Sequence, residues 1–255
     1  MKGTEHWTKK KTADGDVRLF LWEKKAAGSA KGTVLFVHGS SMASQPTFDL
    51  QVPGRPDSSA MDFFARHGFD CWSVDMEGYG RSTKDRNNNA PISQGADDCY
   101  AAALYIQKLR GKRPFLVYGI SSGALRAAMF AERHPDMVAR LALDAMVWTG
   151  EGSPTLAERR KKLAEFQSKN RRPIDKAFIR SVFDRDHPDT AERRVIDAFA
   201  EAVCALDDSV PTGTYVDMCS KLPVVDPAKI TVPSLIMRGQ FDGIASMTDL
   251  MKFFE

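Results

Sequence analysis

The 255-residue sequence lacks a long apolar run and has little net charge of either sign. Its 36 lysines and arginines face 33 aspartates and glutamates, leaving +3, which gives no sign of the strongly basic surface of a nucleic-acid binder. Basic clusters are short, as at Lys9-Lys10-Lys11 and Arg159-Arg160-Lys161-Lys162, and read as solvated faces. No uninterrupted apolar stretch approaches the roughly 20 residues of a membrane helix. Met1 to Lys11 holds no apolar core of the signal-peptide kind, so a cytoplasmic protein without membrane contact is expected. Cysteine is scarce. Cys71, Cys99, Cys204 and Cys219 are widely spaced, with no C-x-x-C pair, and read as buried free thiols. Histidine–carboxylate clusters and phosphate-cradling glycine loops are also missing, so no metal or organic cofactor is expected.

What is present is an alternation. Trp7–Thr12 and Val17–Glu23 read as a hairpin around Ala13-Asp14-Gly15-Asp16, and residues 33–37 as a strand buried on both faces. Amphipathic helices are expected over Ser58–His67, Gly95–Arg110 and Gly123–Arg133, and strands over Phe69–Asp75, Pro114–Tyr118 and Ala139–Leu143. Such alternation implies parallel crossovers and a mostly parallel sheet with helices on both faces, an α/β fold. Near Gly150 the texture changes. Residues 150–229 show no convincing buried strand and carry helix-period segments at Leu156–Ser168, Ile174–Phe183 and Ala191–Leu206. Val232–Met237 restores the strand texture, and Ser246–Phe254 begins a helix. The expected organisation is a core over 1–149, a helical cap, or lid, over 150–229 and the rest of the core over 230–255.

Gly119-Ile120-Ser121-Ser122-Gly123 lies between a buried strand and a helix, the context in which G-x-S-x-G presents a serine nucleophile. The turn is tight, so side chains at either glycine would crowd the backbone, while Ser121 at the apex is lifted clear. The following helix aims free N–H groups at developing negative charge. Residues 33–37 run into His38-Gly39-Ser40-Ser41, where the Ser40 amide is placed to join that of Ser122 in an oxyanion hole. His38 reads as a brace for this loop rather than a base.

With these landmarks the chain resembles the capped α/β-hydrolase superfamily. The resemblance rests on His38-Gly39, on Asp75-Met76-Glu77-Gly78-Tyr79-Gly80-Arg81-Ser82, similar to the family's D-x-x-G-x-G-x-S loop, on the elbow at Ser121, and on Arg238-Gly239-Gln240-Phe241-Asp242. It implies that Asp242 is the acid that orients the catalytic imidazole, with Asp144 as the reserve position and Asp75 structural. Ser41, Met146 and Trp148 are expected to face substrate, with Val147 beside them, and Phe178, Phe183 and Phe199 are read as lid core or pocket lining.

The resemblance places the catalytic histidine one strand beyond the helix that starts at Ser246, and this sequence ends at Glu255. The five histidines present, His6, His38, His67, His134 and His187, each have an ordinary structural reading. The expectation is therefore a C-terminally shortened hydrolase without its last strand, with an exposed edge that invites self-association; His187 is the alternative base. The implied activity is hydrolysis of a small or medium carboxylic ester through an acyl-enzyme. A C–C bond hydrolase, thioesterase, amidase or perhydrolase could use the same parts, and so could a binding protein that keeps the scaffold without turnover.

Overall fold

Buried β-branched and aromatic runs separated by helical segments set the order of elements. The computed structural model describes all 255 residues. The chain forms β1 (Thr4–Thr12), β2 (Gly15–Lys24), β3 (Gly32–Val37), α1 (Ser44–Phe48), α2 (Ala60–Arg66), β4 (Phe69–Val74), α3 (Ile92–Arg110), β5 (Phe115–Ile120), α4 (Ser122–Arg133) and β6 (Val138–Asp144). There follow α5 (Pro154–Arg160), α6 (Leu163–Gln167), β7 (Arg171–Pro173), α7 (Lys176–Asp184), α8 (Arg193–Cys204), β8 (Ser209–Pro211), α9 (Gly213–Ser220), β9 (Ser234–Met237) and α10 (Met247–Lys252).

Seven strands form one sheet in the order β1-β2-β4-β3-β5-β6-β9. β1, β2 and β4 pair antiparallel, and the remaining pairs are parallel. Both faces are covered, and the two-residue period of β3 shows how. Leu35 and Val37 join the main core with residues of α3 and α4, whereas Val34 and Phe36 pack against Phe48 of α1 and Met61 and Ala65 of α2. From β3 the chain crosses first to β4 on one side and later to β5 on the other. The strand order thus reverses between β3 and β5, and the carboxyl ends of strands at such a reversal are where open α/β sheets bind ligands.

Residues 150–229 are inserted between β6 and β9. The expected helix over Leu156–Ser168 breaks at Lys161-Lys162 into α5 and α6. Two strands stand where none was expected: β7 and β8 pair antiparallel through Arg172 and Val210. At three residues each, bounded by Pro173 and Pro211, they leave no readable period in the sequence. The short α1 and the almost wholly buried α9 were also not anticipated. No helix is long and apolar enough to cross a membrane.

Candidate active site at the sheet crevice

β5 delivers its last residues into a turn that ends at once in α4. Ser121 at the apex has φ 56° and ψ −128°, a conformation that L-residues other than glycine seldom adopt and that persists only where the surroundings enforce it. The glycines that flank it are required by close approach. A Cβ on Gly123 would lie 2.3 Å from the Val37 carbonyl oxygen and 2.5 Å from that of His38, and one on Gly119 would lie 2.4 Å from the Gly123 oxygen. The Ser121 amide donates to the Asp144 carbonyl at 2.8 Å, tying the elbow to the end of β6. Ser121 is half-buried and is not part of the enclosed core.

The loop after β3 closes over this serine. A Cβ on Gly39 would stand 3.1 Å from Ser121 Cβ and 3.6 Å from Ser121 Oγ. The Ser40 amide, and that of Ser122 in the first turn of α4, donate to no protein acceptor. His38 lies wholly in the interior. Its Nδ1 is 2.7 Å from the Gly39 carbonyl and its Nε2 is 3.0 Å from the Met76 amide, so Nδ1 donates and Nε2 accepts. Burial, aided by the nearby Arg126 guanidinium, lowers its pKa to about 3, and His38 stays a neutral brace. Arg126, fully buried on α4, donates to the His38 carbonyl at 2.9 Å and lies over Tyr79, a support for the elbow that its place in an ordinary helix does not announce.

The two candidate acids sit at the same edge of the sheet. Asp144 ends β6, and its carboxylate accepts from the Tyr118 hydroxyl. Asp242 follows β9, with Oδ1 accepting from the Ile244 amide at 2.8 Å and Oδ2 buried without a donor. Burial raises the Asp242 pKa against the opposing pull of that amide and of Arg238. Asp75 is taken up in its own turn, accepting from the Ser44 amide and hydroxyl and from the Arg81 amide.

No histidine is hydrogen-bonded to Ser121 or Asp242. His6 pairs with Glu23, His67 bonds the Phe63 carbonyl, His134 stacks on Tyr100, and His187 bonds the Pro188 carbonyl. His187 is nevertheless stacked on Phe241, with ring centroids 3.9 Å apart, next to Asp242 in sequence.

The expected pocket residues fall in different places. Ser41, at φ 81°, is buried and accepts from the Arg172 guanidinium. Met146 is entirely enclosed in the main core, as is Val147, so neither lines an open cavity. Trp148 donates from its indole to the Val225 carbonyl at 3.1 Å and meets Phe253 edge-on, which places it in the joint between β6 and α10. Phe178 lines a cavity of about 560 Å³ under α5, α6 and α7, whereas Phe183 and Phe199 pack on each other. A larger hollow of about 910 Å³ lies between β1 and α3 and is not lined by any of these residues.

The model of the family described as Serine aminopeptidase, S33, matches residues 28–255. The chain belongs to this family. No curated protein matches the S33-family chain. Among solved structures it is similar to an esterase from Thermogutta terrifontis at 20% identity and a TM-score of 0.69, with 98% of this chain and 85% of that one covered. It is similar to an α/β hydrolase from Penicillium at 17% identity and a TM-score of 0.65, with coverage of 100% and 86%. It also resembles the thioesterase domain of a curacin biosynthetic pathway at 14% identity and a TM-score of 0.62, with coverage of 98% and 88%. At these identities the likeness shows the fold, and the fold of this S33-family chain is that of the α/β hydrolases.

Proposed function

We propose that this hydrolase-family chain cleaves a small or medium carboxylic ester through an acyl-enzyme formed on Ser121. The observation that carries the reading is the Ser121 backbone, held at φ 56° between glycines with no room for a side chain and beside two uncommitted amides. In this reading Ser121 Oγ attacks the carbonyl carbon as an imidazole base takes its proton, and the Ser40 and Ser122 amides receive the oxyanion. The imidazolium protonates the departing alcohol, and water activated by the same base releases the acid from Ser121. None of the five histidines is hydrogen-bonded to Ser121 in the structure. Asp242 Oδ2, which has no donor, is the acceptor suited to an imidazole N–H, the role of the acid in a Ser–His–Asp relay. Asp144 suits that role less because Tyr118 already occupies its carboxylate. Residues 150–229 act as a cap that shelters the acyl group from water. A thioester is the runner-up substrate, since the same elbow and amides serve it.

A fluorophosphonate probe and the burst phase with p-nitrophenyl acetate test the reading directly. Labelling and burst are expected in the wild type and absent in Ser121→Ala; equal signals in both proteins would remove the serine mechanism. The packing of His187 on Phe241 supports a second reading, in which that imidazole swings to Asp242 and serves as base. It requires His187→Ala to lose turnover at least a hundredfold while keeping its fold.

A further inference from the structure

The cavity of about 560 Å³ under α5, α6 and α7 has an uncommon electrostatic make-up. Arg172 is only 8% exposed, and its Nε has no hydrogen-bond partner. Its guanidinium donates to the Ser41 hydroxyl and lies 4.1 Å from the centroid of the buried Tyr215 ring. Arg159 stacks on the same ring at 4.4 Å. Neither arginine meets a carboxylate. The acids in the cavity wall pair with other cations: Glu158 with Lys161, Glu165 with Lys169, and Asp186 with Arg185, which also lines the cavity.

A buried cation without a counter-ion is costly, and the cost is relieved when an anion enters. The surroundings register the same bias. Burial works to raise the Tyr215 pKa, yet Arg159 and Arg172 outweigh it and the net direction is down; burial likewise weakens the hold of Arg159 on its proton. Both guanidinium groups lie over the Tyr215 ring, which restricts their movement, and a guanidinium fork can hold a carboxylate through two parallel hydrogen bonds. Phe166, Phe178 and Val182 supply apolar wall for a short methylene chain. The position is also informative. Ser41, which Arg172 holds, is two residues from Gly39, where an added Cβ would lie 3.1 Å from Ser121 Cβ.

We infer that the cavity takes the carboxylate end of the substrate, held between Arg159 and Arg172, so that the ester cleaved is a half-ester of a short dicarboxylic acid. The word substrate rests on the hydrolase reading above; the anion site rests on its own geometry.

The two are separable by experiment. Glutarate and its neutral diamide are titrated calorimetrically into Ser121→Ala protein, and hydrolysis of monoethyl glutarate is compared with that of ethyl glutaramate. Glutarate should bind Ser121→Ala and the diamide should not. Arg159→Gln and Arg172→Gln should each lower the half-ester to amide-ester ratio of kcat/KM at least tenfold, chiefly through KM, and Arg172→Lys should restore part of it. Glutarate binding no tighter than the diamide, tighter binding of a phosphonate analogue, or a ratio unmoved in both glutamine variants would overturn the carboxylate site. Glutarate binding without Ser121-dependent turnover would uphold the site and remove the serine mechanism.

Discussion

At Ser121 the backbone holds a conformation worth about 1–3 kcal/mol of strain, and the neighbouring glycines are what allow it. Gly123→Ala would drive a Cβ into the Val37 and His38 carbonyls, neither of which is a flexible side-chain end that can swing away. The expected outcome is a loss of about 3 kcal/mol in urea unfolding, with fluorophosphonate labelling lost as the turn opens. His38 gives a pH signature. Its pKa is about 3 in the fold against 6.5 in the unfolded chain, so its contribution is complete above pH 6.5 and drains away as the pH falls toward 3. Asp75 and Asp98, whose carboxyls burial pushes up, act in the opposite sense, so the wild type must be compared with His38→Gln. The stability advantage of the wild type should shrink by about 2–3 kcal/mol between pH 7 and pH 4.5. A constant difference would show that His38 does not titrate with unfolding. The elbow was legible in the sequence because its demands are contiguous: two glycines, a serine and a strand-to-helix change within a few positions. Arg159, Arg172 and Tyr215 were not, since only the fold brings residues so far apart onto one ring, and Arg159 read as a member of a solvated basic run.

Elements in the inserted segment are held by different forces, and magnitudes rank them. Between α7 and α8, the Phe183 and Phe199 rings meet edge-on at 5.4 Å, and Arg180 pairs with Asp197 at 2.7 Å. The ion pair is partly exposed and is worth about 0–1 kcal/mol. Truncating the buried aromatic costs about 3 kcal/mol or more. Phe199→Ala should therefore speed amide hydrogen exchange throughout residues 176–204, whereas Arg180→Ala should leave it nearly unchanged; the reverse order would mean that charge rather than packing joins the helices. The 3.6-residue period of these helices was readable because each spans several turns with one apolar face. The β7–β8 pair was not, because what makes it a pair is Arg172 meeting Val210 across the fold and not any local preference.

For the molecule as a whole, the decisive joint is where the inserted segment leaves the sheet. Asp249 of α10 is completely buried, and its carboxylate accepts from the Trp148 and Thr149 amides at 2.9 Å, from the Gly150 amide at 3.3 Å and from the Thr149 hydroxyl. One side chain near the end of the sequence thus satisfies three successive amides at the point where the fold departs from β6. The sequence offered only a faint sign of this, the Ser246-Met247-Thr248-Asp249 helix start, in which the Ser246 hydroxyl accepts from the Asp249 amide at 3.0 Å. Asp249→Ala leaves those amides buried and unpaired, a cost of about 3 kcal/mol, and for a domain of this size that corresponds to a fall in Tm of about 6–12 °C. Asp249→Asn keeps the shape and one acceptor oxygen but turns two N–H donors toward groups that are mostly donors themselves, so it should recover less than half of the loss. If the joint also sets the angle of the inserted segment over Ser121, both variants should raise KM for ester substrates at temperatures where they remain folded. An unchanged KM with a lowered Tm would restrict Asp249 to stability and leave the placement of the segment to the Arg172–Ser41 contact.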